Sequence, residues 1–291
     1  MIQDRSLSSR IFDVIIYVFL TLVAIITAFP LLFCIIRSFD GGWTVASGLD
    51  IFPKQWSLIA YSTLMKNPFF LRSIGISGLI TVAGTLLSLM LTSMLAYGLS
   101  RKQFIGKKLF LLGIVFTMMF NGGLIPSYMV VKNLGLLNSL WSIIVPNAMG
   151  AYTFFIMRSY FLQLPDSLDE SARIDGAGDF LIFFKIYLPL AKPMLAAVSL
   201  LYVVRQWNLF FEAILYIRDN NSWPLQVLVR QAIIGADTLG IDGTGISKDF
   251  AVNPESLKLA AIVVSAIPML IMYPFFQRFF IKGMTLGAIK G

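Results

Sequence analysis

Long apolar stretches separated by short charged ones organise the chain. Val14–Ile36, Ser73–Ser100, Leu109–Val131 and Asn133–Met157 contain no charged side chain and run for 23, 28, 23 and 25 residues. About 20 apolar residues are enough for a helix to cross a bilayer. Pro193–Ile217 is a fifth such stretch, interrupted by Arg205 and Glu212, and Leu259–Gln277 is a sixth. The pattern predicts an all-α membrane protein of six transmembrane helices. Pro30, Pro126, Pro146, Pro268 and Pro274 fall inside these stretches, which kinked membrane helices tolerate. Gly75, Gly78 and Gly84 read as places where helices approach closely. The first stretch is too long for the core of a signal peptide and lacks a small-residue cleavage site, so it reads as a span.

Six spans put both ends on one side, and the basic residues choose the side. Thirteen of the 23 Lys and Arg lie in the N-terminal tail, in "RKQFIGKK", in the loop after the fourth span and in the C-terminal tail. The nine on the opposite side are spread over longer loops, which weigh less in this rule. Both termini are therefore expected in the cytoplasm. Residues 1–13 form a cytoplasmic tail and 14–291 a single transmembrane domain. Its loop 158–192 is cytoplasmic and its loop 218–258 external.

Composition supports the same class. The chain is 57% hydrophobic and 13% charged, against about 25% charged in a typical soluble domain. There is no His, which removes the commonest metal ligand and the usual acid–base group near neutral pH. Cys34 is the single cysteine, so an intrachain disulfide is excluded. The net charge of +8 fits retention of basic loops in the cytoplasm better than nucleic-acid binding. No G-x-x-x-x-G-K-[ST] phosphate loop occurs, and no nucleophile–base pair or metal cluster stands out. The chain reads as a non-enzyme without a cofactor of its own.

The loop "DESARIDGAGDFLIFFKIYLPLAKP" (Asp169–Pro193) is charged, has paired glycines and ends on prolines. Ser167 and Glu170 have the spacing of a capping box. Gly176 is placed to end that helix. Asp179 is placed to cap a second helix through "FLIFFKIYL", which Pro189 should stop. Phe180, Phe183, Phe184 and Tyr187 are too many aromatics for water, so some should pack on the membrane domain and the rest on a partner.

Glu170, Ser171 and Ala172, then Gly176, then Ile186, Leu188 and Pro189 spell E-S-A-x3-G-x9-I-x-L-P. This resembles the EAA signature of the membrane subunits of bacterial ABC importers, with Ser171 where that family usually has Ala. "AYGLSRKQFIGKK", "QWNLFFEAILYI", "NPESLKLAAIVVSAIP" and "KGMTLGAIKG" look like its carbohydrate-uptake, maltose-type branch, most closely the oligosaccharide and lipoprotein-type relatives. The likeness covers essentially the whole chain. It implies a type I importer fold in the bacterial inner membrane. Glu170, Ser171, Ala172, Asp175, Gly176, Ile186, Leu188 and Pro189 would lie at a contact with an ATPase subunit. The implied partners are a second, different permease subunit, two ATPase subunits carrying ATP and Mg, and an extracytoplasmic sugar-binding protein.

A charge at mid-membrane costs at least about 2.5 kcal/mol on insertion scales, so it should face protein or water. Arg205 and Glu212, seven apart, share a face on a continuous helix, with Asn208 and Tyr216 near the same stripe. They read as a wall of the translocation path offering hydrogen bonds to sugar hydroxyls, or as a structural network between helices. Asn121, Tyr128, Asn147 and Tyr152 are further candidates. An Arg in the path would suit an acidic sugar such as an oligouronide. In the external loop, "LQVLVRQAII" looks helical, Asp237, Asp242, Gly243 and Gly245 do not match a calcium loop, and Asn253–Pro254 reads as a helix start. Two other classes stay open: an ion-coupled secondary transporter or channel, and an importer permease for a non-sugar solute.

Overall fold

The computed structural model describes residues 7–42, 51–102, 104–234 and 253–288. In chain order the helices are α1 (Leu7–Arg37), α2 (Ile59–Lys66), α3 (Pro68–Ser100), α4 (Lys107–Met119), α5 (Leu124–Asn133), α6 (Trp141–Ile144) and α7 (Ala151–Gln163). There follow α8 (Ser167–Ile174), α9 (Asp179–Ile182), a π-helical turn (Phe183–Tyr187), α10 (Leu188–Leu190), α11 (Lys192–Trp207), α12 (Phe211–Tyr216), α13 (Leu225–Ile234) and α14 (Pro254–Ala288). Among the described residues the only β-pairing is an isolated bridge between Asp40 and Trp56. The segment "GADTLGIDGTGISKDF", with Asp237, Asp242, Gly243 and Gly245, lies outside the described residues.

Ile11–Arg37, Pro68–Ser100 and Pro254–Phe276 are long and apolar enough to cross a membrane. A fourth crossing is available if Asp179–Leu190 and Lys192–Trp207, which meet at 82°, count as one broken span. The stretches 109–131, 133–157 and 193–217, expected as single helices, are each broken. Gly122–Gly123, with Gly123 at φ +83°, separates α4 from α5. Gly135 (φ +69°) and Asn138 (φ +59°) turn the chain before α6. Non-helical backbone follows Trp207 and ends α11 before α12 begins. Hydropathy alone does not register these breaks, because the breaking residues are uncharged. Broken backbone at membrane depth persists only where protein buries it or where it lines a wet cavity.

The described residues fall into two units, one within Met1–Pro68 and Gln231–Ala266, the other within Phe69–Arg230 and Ile267–Gly291. In the first, the side chains of α1 from Ile11 to Leu32 are exposed throughout. A helix that is apolar on every side needs lipid or another protein around it. Where α1 ends, Arg37 and Asp40 form a buried ion pair at 2.7 Å. The Asp40 carbonyl accepts from Ser256 Oγ at 2.5 Å. Asn253 caps α14 by accepting from the Glu255 N–H at 2.9 Å, and donates to the Gly42 carbonyl at 2.7 Å. The helix start expected at Asn253–Pro254 is therefore present, and its cap also ties α14 to the chain that follows α1.

The second unit has two apolar centres. One gathers Ala96, Tyr97 and Leu99 of α3, Phe154, Met157 and Phe161 of α7, Ala172 of α8, Ile182 of α9, Phe183 and Tyr187 of the π turn, and Val198 and Tyr202 of α11. The other gathers Ile80, Ile143, Ile144, Leu209, Ala213, Ile217 and Val227. Of the three glycines expected at close helix approaches, only Gly84 serves. A Cβ there would lie 2.6 Å from the Gln206 Cδ, whereas one on Gly75 or Gly78 would meet nothing within 4 Å.

Candidate coupling loop and translocation wall

Asp166, Pro165 and their neighbours start α8 one residue earlier than the capping-box reading expects. Asp166 is the N-cap and Ser167 the first helical residue, and no side chain caps the helix. The Asp166 carboxylate is turned instead to Lys102 Nζ, at 2.6 Å. That hydrogen bond holds the Asp166 carboxyl below its ordinary range and the Lys102 ammonium above its own. Asp169 and Glu170 occupy the first turn of α8, where the helix dipole favours negative charge.

The end of α8 follows the sequence closely. Gly176 takes φ +80°, a conformation that side-chain-bearing residues rarely adopt. Its N–H donates to the Arg173 carbonyl at 3.0 Å, and the Ala177 N–H to the Ala172 carbonyl at 2.9 Å. The pair is a Schellman motif. Asp179 does not cap α9: Gly178 holds that position, and the Asp179 carboxylate bonds the Arg173 guanidinium. Arg173 also bonds Asp169 Oδ2, at 2.9 Å, and the two carboxylates push its ionisation further up.

Pro189 does not stop the second helix. The chain widens into the π turn, so that the Leu188 N–H reaches the Phe183 carbonyl. This moves the backbone that an α-helix would drive into the proline ring. Helix α10 then carries Pro189 into the 82° bend.

The loop divides into an inward and an outward face. Ala172, Ile182, Phe183 and Tyr187 are buried in the core cluster, and Ile186 and Leu188 are half-buried against it. Glu170, Ser171, Asp175, Gly176 and Pro189 are exposed. Ile174 is 86% exposed and Phe180 71%, with Leu181 and Phe184 also open. Of the four aromatics, Phe183 and Tyr187 pack inward as expected, and Phe180 and Phe184 stay exposed. Ala172 seats α8 on the core rather than presenting it. Ile174 was missed by the sequence reading, although one isoleucine in a charged helix, directly before the acidic–glycine corner, is a signal of a covered surface.

The polar candidates in the apolar stretches sort by the helix breaks. Arg205 Nη2 donates to Asn147 Oδ1 at 2.6 Å, and Asn147 Nδ2 donates to the Ile143 carbonyl at 2.9 Å. Asn147 thus caps the broken end of α6 and holds the guanidinium of α11. Gly150 lies beside them, and a Cβ there would crowd Thr153 Oγ1 at 3.0 Å while only touching Arg205 Nη1 at 3.6 Å. Tyr128 and Tyr216 stack with centroids 6.1 Å apart. Asn208 Nδ2 returns to the Val204 carbonyl, and Asn121 Oδ1 accepts from the Gly123 N–H. Both satisfy backbone at a break and join neither group, and Tyr152 stands exposed outside them. Glu212 does not share a face with Arg205, because the break after Trp207 ends the helical register. Among the described residues neither forms an ion pair.

Beside Arg205 lies a node that sequence reasoning missed. The Tyr202 hydroxyl is 2.6 Å from Thr92 Oγ1 of α3, 2.6 Å from Thr153 Oγ1 of α7, and accepts from the Gly150 N–H at 3.3 Å. It joins three helices far apart in sequence. Tyr202→Phe leaves two buried threonines short of a partner, and lost buried hydrogen bonds cost about 1–3 kcal/mol. The variant should melt earlier in detergent than the parent chain.

Residues 109–286 match the family model described as binding-protein-dependent transport system inner membrane component. The chain belongs to this family. The matched segment holds the 158–192 loop and every helix break named above. As an inner membrane component the chain is a permease subunit of a binding-protein-dependent importer. It is similar to the polygalacturonan/rhamnogalacturonan transport system permease protein YtcP of Bacillus subtilis (strain 168), 42% identical over 98% of this chain and 100% of that one. Protein LplC of the same organism is 43% identical over 98% of this chain and 96% of its own. Among solved structures it is similar to a chain of a bacterial ABC transporter involved in the import of the acidic polysaccharide alginate. That match has a TM-score of 0.86 and 33% identity, and covers 94% of this chain and 98% of that one.

Proposed function

We propose that this permease subunit forms half of the translocation path for an acidic oligosaccharide of the oligouronide class. The observation that carries the substrate class is Arg205: a guanidinium fixed at a helix break by Asn147, with no carboxylate on it among the described residues. A planar fork of donors is suited to a sugar carboxylate. The names of YtcP and of the alginate importer point to the same chemistry. The stacked Tyr128 and Tyr216 offer an apolar surface for pyranose rings in the same reading.

The remaining parts of the machine belong to this proposal. Counting each broken stretch as one crossing gives six, and the distribution of basic residues supports cytoplasmic termini. The exposed face of the 158–192 loop, from Glu170 to Gly176 with Ile174 and Phe180, docks on one of two separate ATPase subunits. Those subunits bind ATP and Mg and perform the hydrolysis. A second, different permease subunit completes the path, and an extracytoplasmic binding protein delivers the sugar to the side of loop 218–258.

Uptake tests the substrate class. Cells carrying the complete transporter should accumulate labelled trigalacturonate, and Arg205→Ala should lower its uptake about tenfold or more, the scale of a charge-assisted hydrogen bond of about 1.5–3 kcal/mol. Arg205→Lys should retain part of the uptake. Equal uptake by the parent and the Arg205→Ala variant would remove Arg205 from the path.

A further inference from the structure

We propose that Arg101 is a positioning residue for coupling: the side chain through which movement of the ATPase-facing loop reaches helix α3. It rests on the proposal above that the loop docks on an ATPase. Arg101 immediately follows α3, and its guanidinium is largely buried, 15% exposed. Its Nε and Nη2 donate to Ser100 Oγ at 3.1 and 3.0 Å. Its Nη1 donates to the Tyr187 hydroxyl of the π turn at 2.6 Å. The guanidinium carbon lies 4.3 Å from the Tyr187 ring centroid and 5.0 Å from that of Tyr97. One side chain therefore binds the end of α3 to the segment that leads into the bend before α11.

The same guanidinium faces the coupling helix. Arg101 Nη1 is 4.0 Å from Asp169 Oδ1. That oxygen is buried and has no hydrogen-bond partner, while Oδ2 of the same carboxylate is taken by Arg173. A charge-assisted hydrogen bond closes at about 2.7–2.9 Å. The Arg101–Asp169 contact thus stands roughly one ångström open, with the acceptor desolvated and ready. A cavity of about 420 Å³ adjoins it, walled by Met94, Tyr97 and Gly98 of α3 on one side and Asp179, Phe180 and Phe183 on the other. That cavity leaves unfilled space between these walls, and Arg101 lines it. Movement of α8 toward α3 closes the Asp169 contact, and Asp169 carries Arg173 and Asp179 with it through their ion pairs. Lysine is a poor substitute, because its compact ammonium lacks the planar fork that spans these partners and stacks on the Tyr187 and Tyr97 rings.

The test uses the complete transporter purified with its binding protein and reconstituted in vesicles, with trigalacturonate taken up and ATP hydrolysed measured together. Arg101→Ala and Asp169→Asn should both retain the ATPase subunits while the sugar moved per ATP hydrolysed falls about tenfold, the scale of one charge-assisted hydrogen bond. Arg101→Lys should also fall short of the parent. Asp169→Asn keeps the side-chain shape and decides the matter if Arg101→Ala fails to assemble. A parent-like ratio in Asp169→Asn, or in an assembled Arg101→Ala, overturns the proposal while leaving the docking reading intact. A parent chain that retains no ATPase subunit overturns both.

Discussion

Glu170→Lys should leave the chain inserted in the membrane and abolish most of its effect on ATP hydrolysis. Glu170 is exposed in the first turn of α8, and among the described residues no ion pair or side-chain hydrogen bond holds it. Within the chain its replacement loses a favourable dipole interaction of about 0.3–1 kcal/mol and a weak attraction to Lys102, and adds a repulsion of similar size. The Schellman turn at Gly176, the buried Ala172 and the Arg173 ion pairs all remain. What changes is the charge on the surface proposed to dock on the ATPase. A reversed charge across an interface costs several kcal/mol, so stimulation of hydrolysis by the loaded binding protein should drop at least about tenfold. The assay is ATP turnover in the assembled transporter, with and without binding protein and sugar. Normal stimulation would remove Glu170 from the coupling contact.

Gly84→Val should prevent the second unit from packing. A Cβ at residue 84 would lie 2.6, 2.8 and 2.9 Å from the Gln206 Cδ, Nε2 and Oε1. Real side chains do not approach so closely, and Gln206 is 2% exposed, so its amide can move aside only by displacing buried neighbours. Neither amide atom of Gln206 has a hydrogen-bond partner among the described residues, so at this level the α3–α11 approach depends on the missing Cβ. Overpacking of this kind costs about 1–3 kcal/mol for one added methylene group and more for a branched side chain. Gly84→Val should therefore yield little folded protein in detergent, and Gly84→Ala should melt measurably earlier. Gly75→Ala and Gly78→Ala, with nothing in reach, should melt with the parent. Equal melting of Gly84→Val and the parent would contradict the helix contact.

These two sites also mark what the chain discloses on reading. The loop was legible because its signals are local: an acidic first turn, a glycine three residues past Arg173, and aromatics at helical spacing. The helix over Leu225–Ile234 and the cap at Asn253 were legible for the same reason. The capping roles of Ser167 and Asp179 were not, because Lys102 and Arg173 compete for the nearby carboxylates from outside the capping pattern. The helix breaks escaped because hydropathy weighs side chains and ignores backbone. Gly122–Gly123 and the asparagines at 121, 138, 147 and 208 were the available clue, since each asparagine satisfies backbone freed by a break or holds a neighbour across it. Gly84 and Tyr202 depend on helices more than 40 residues apart in sequence. Nothing local distinguishes Gly84 from Gly78, or Tyr202 from any tyrosine in an apolar helix.

The central claim is that this chain moves sugar only as one permease of an assembly whose ATPase is elsewhere. Its most direct test is a mild-detergent pull-down of the tagged chain from its native membranes, with the retained subunits identified by mass. The account predicts recovery of a second, different permease together with an ATPase. Recovery of this chain alone, as a stable homo-oligomer that still transports, would contradict it.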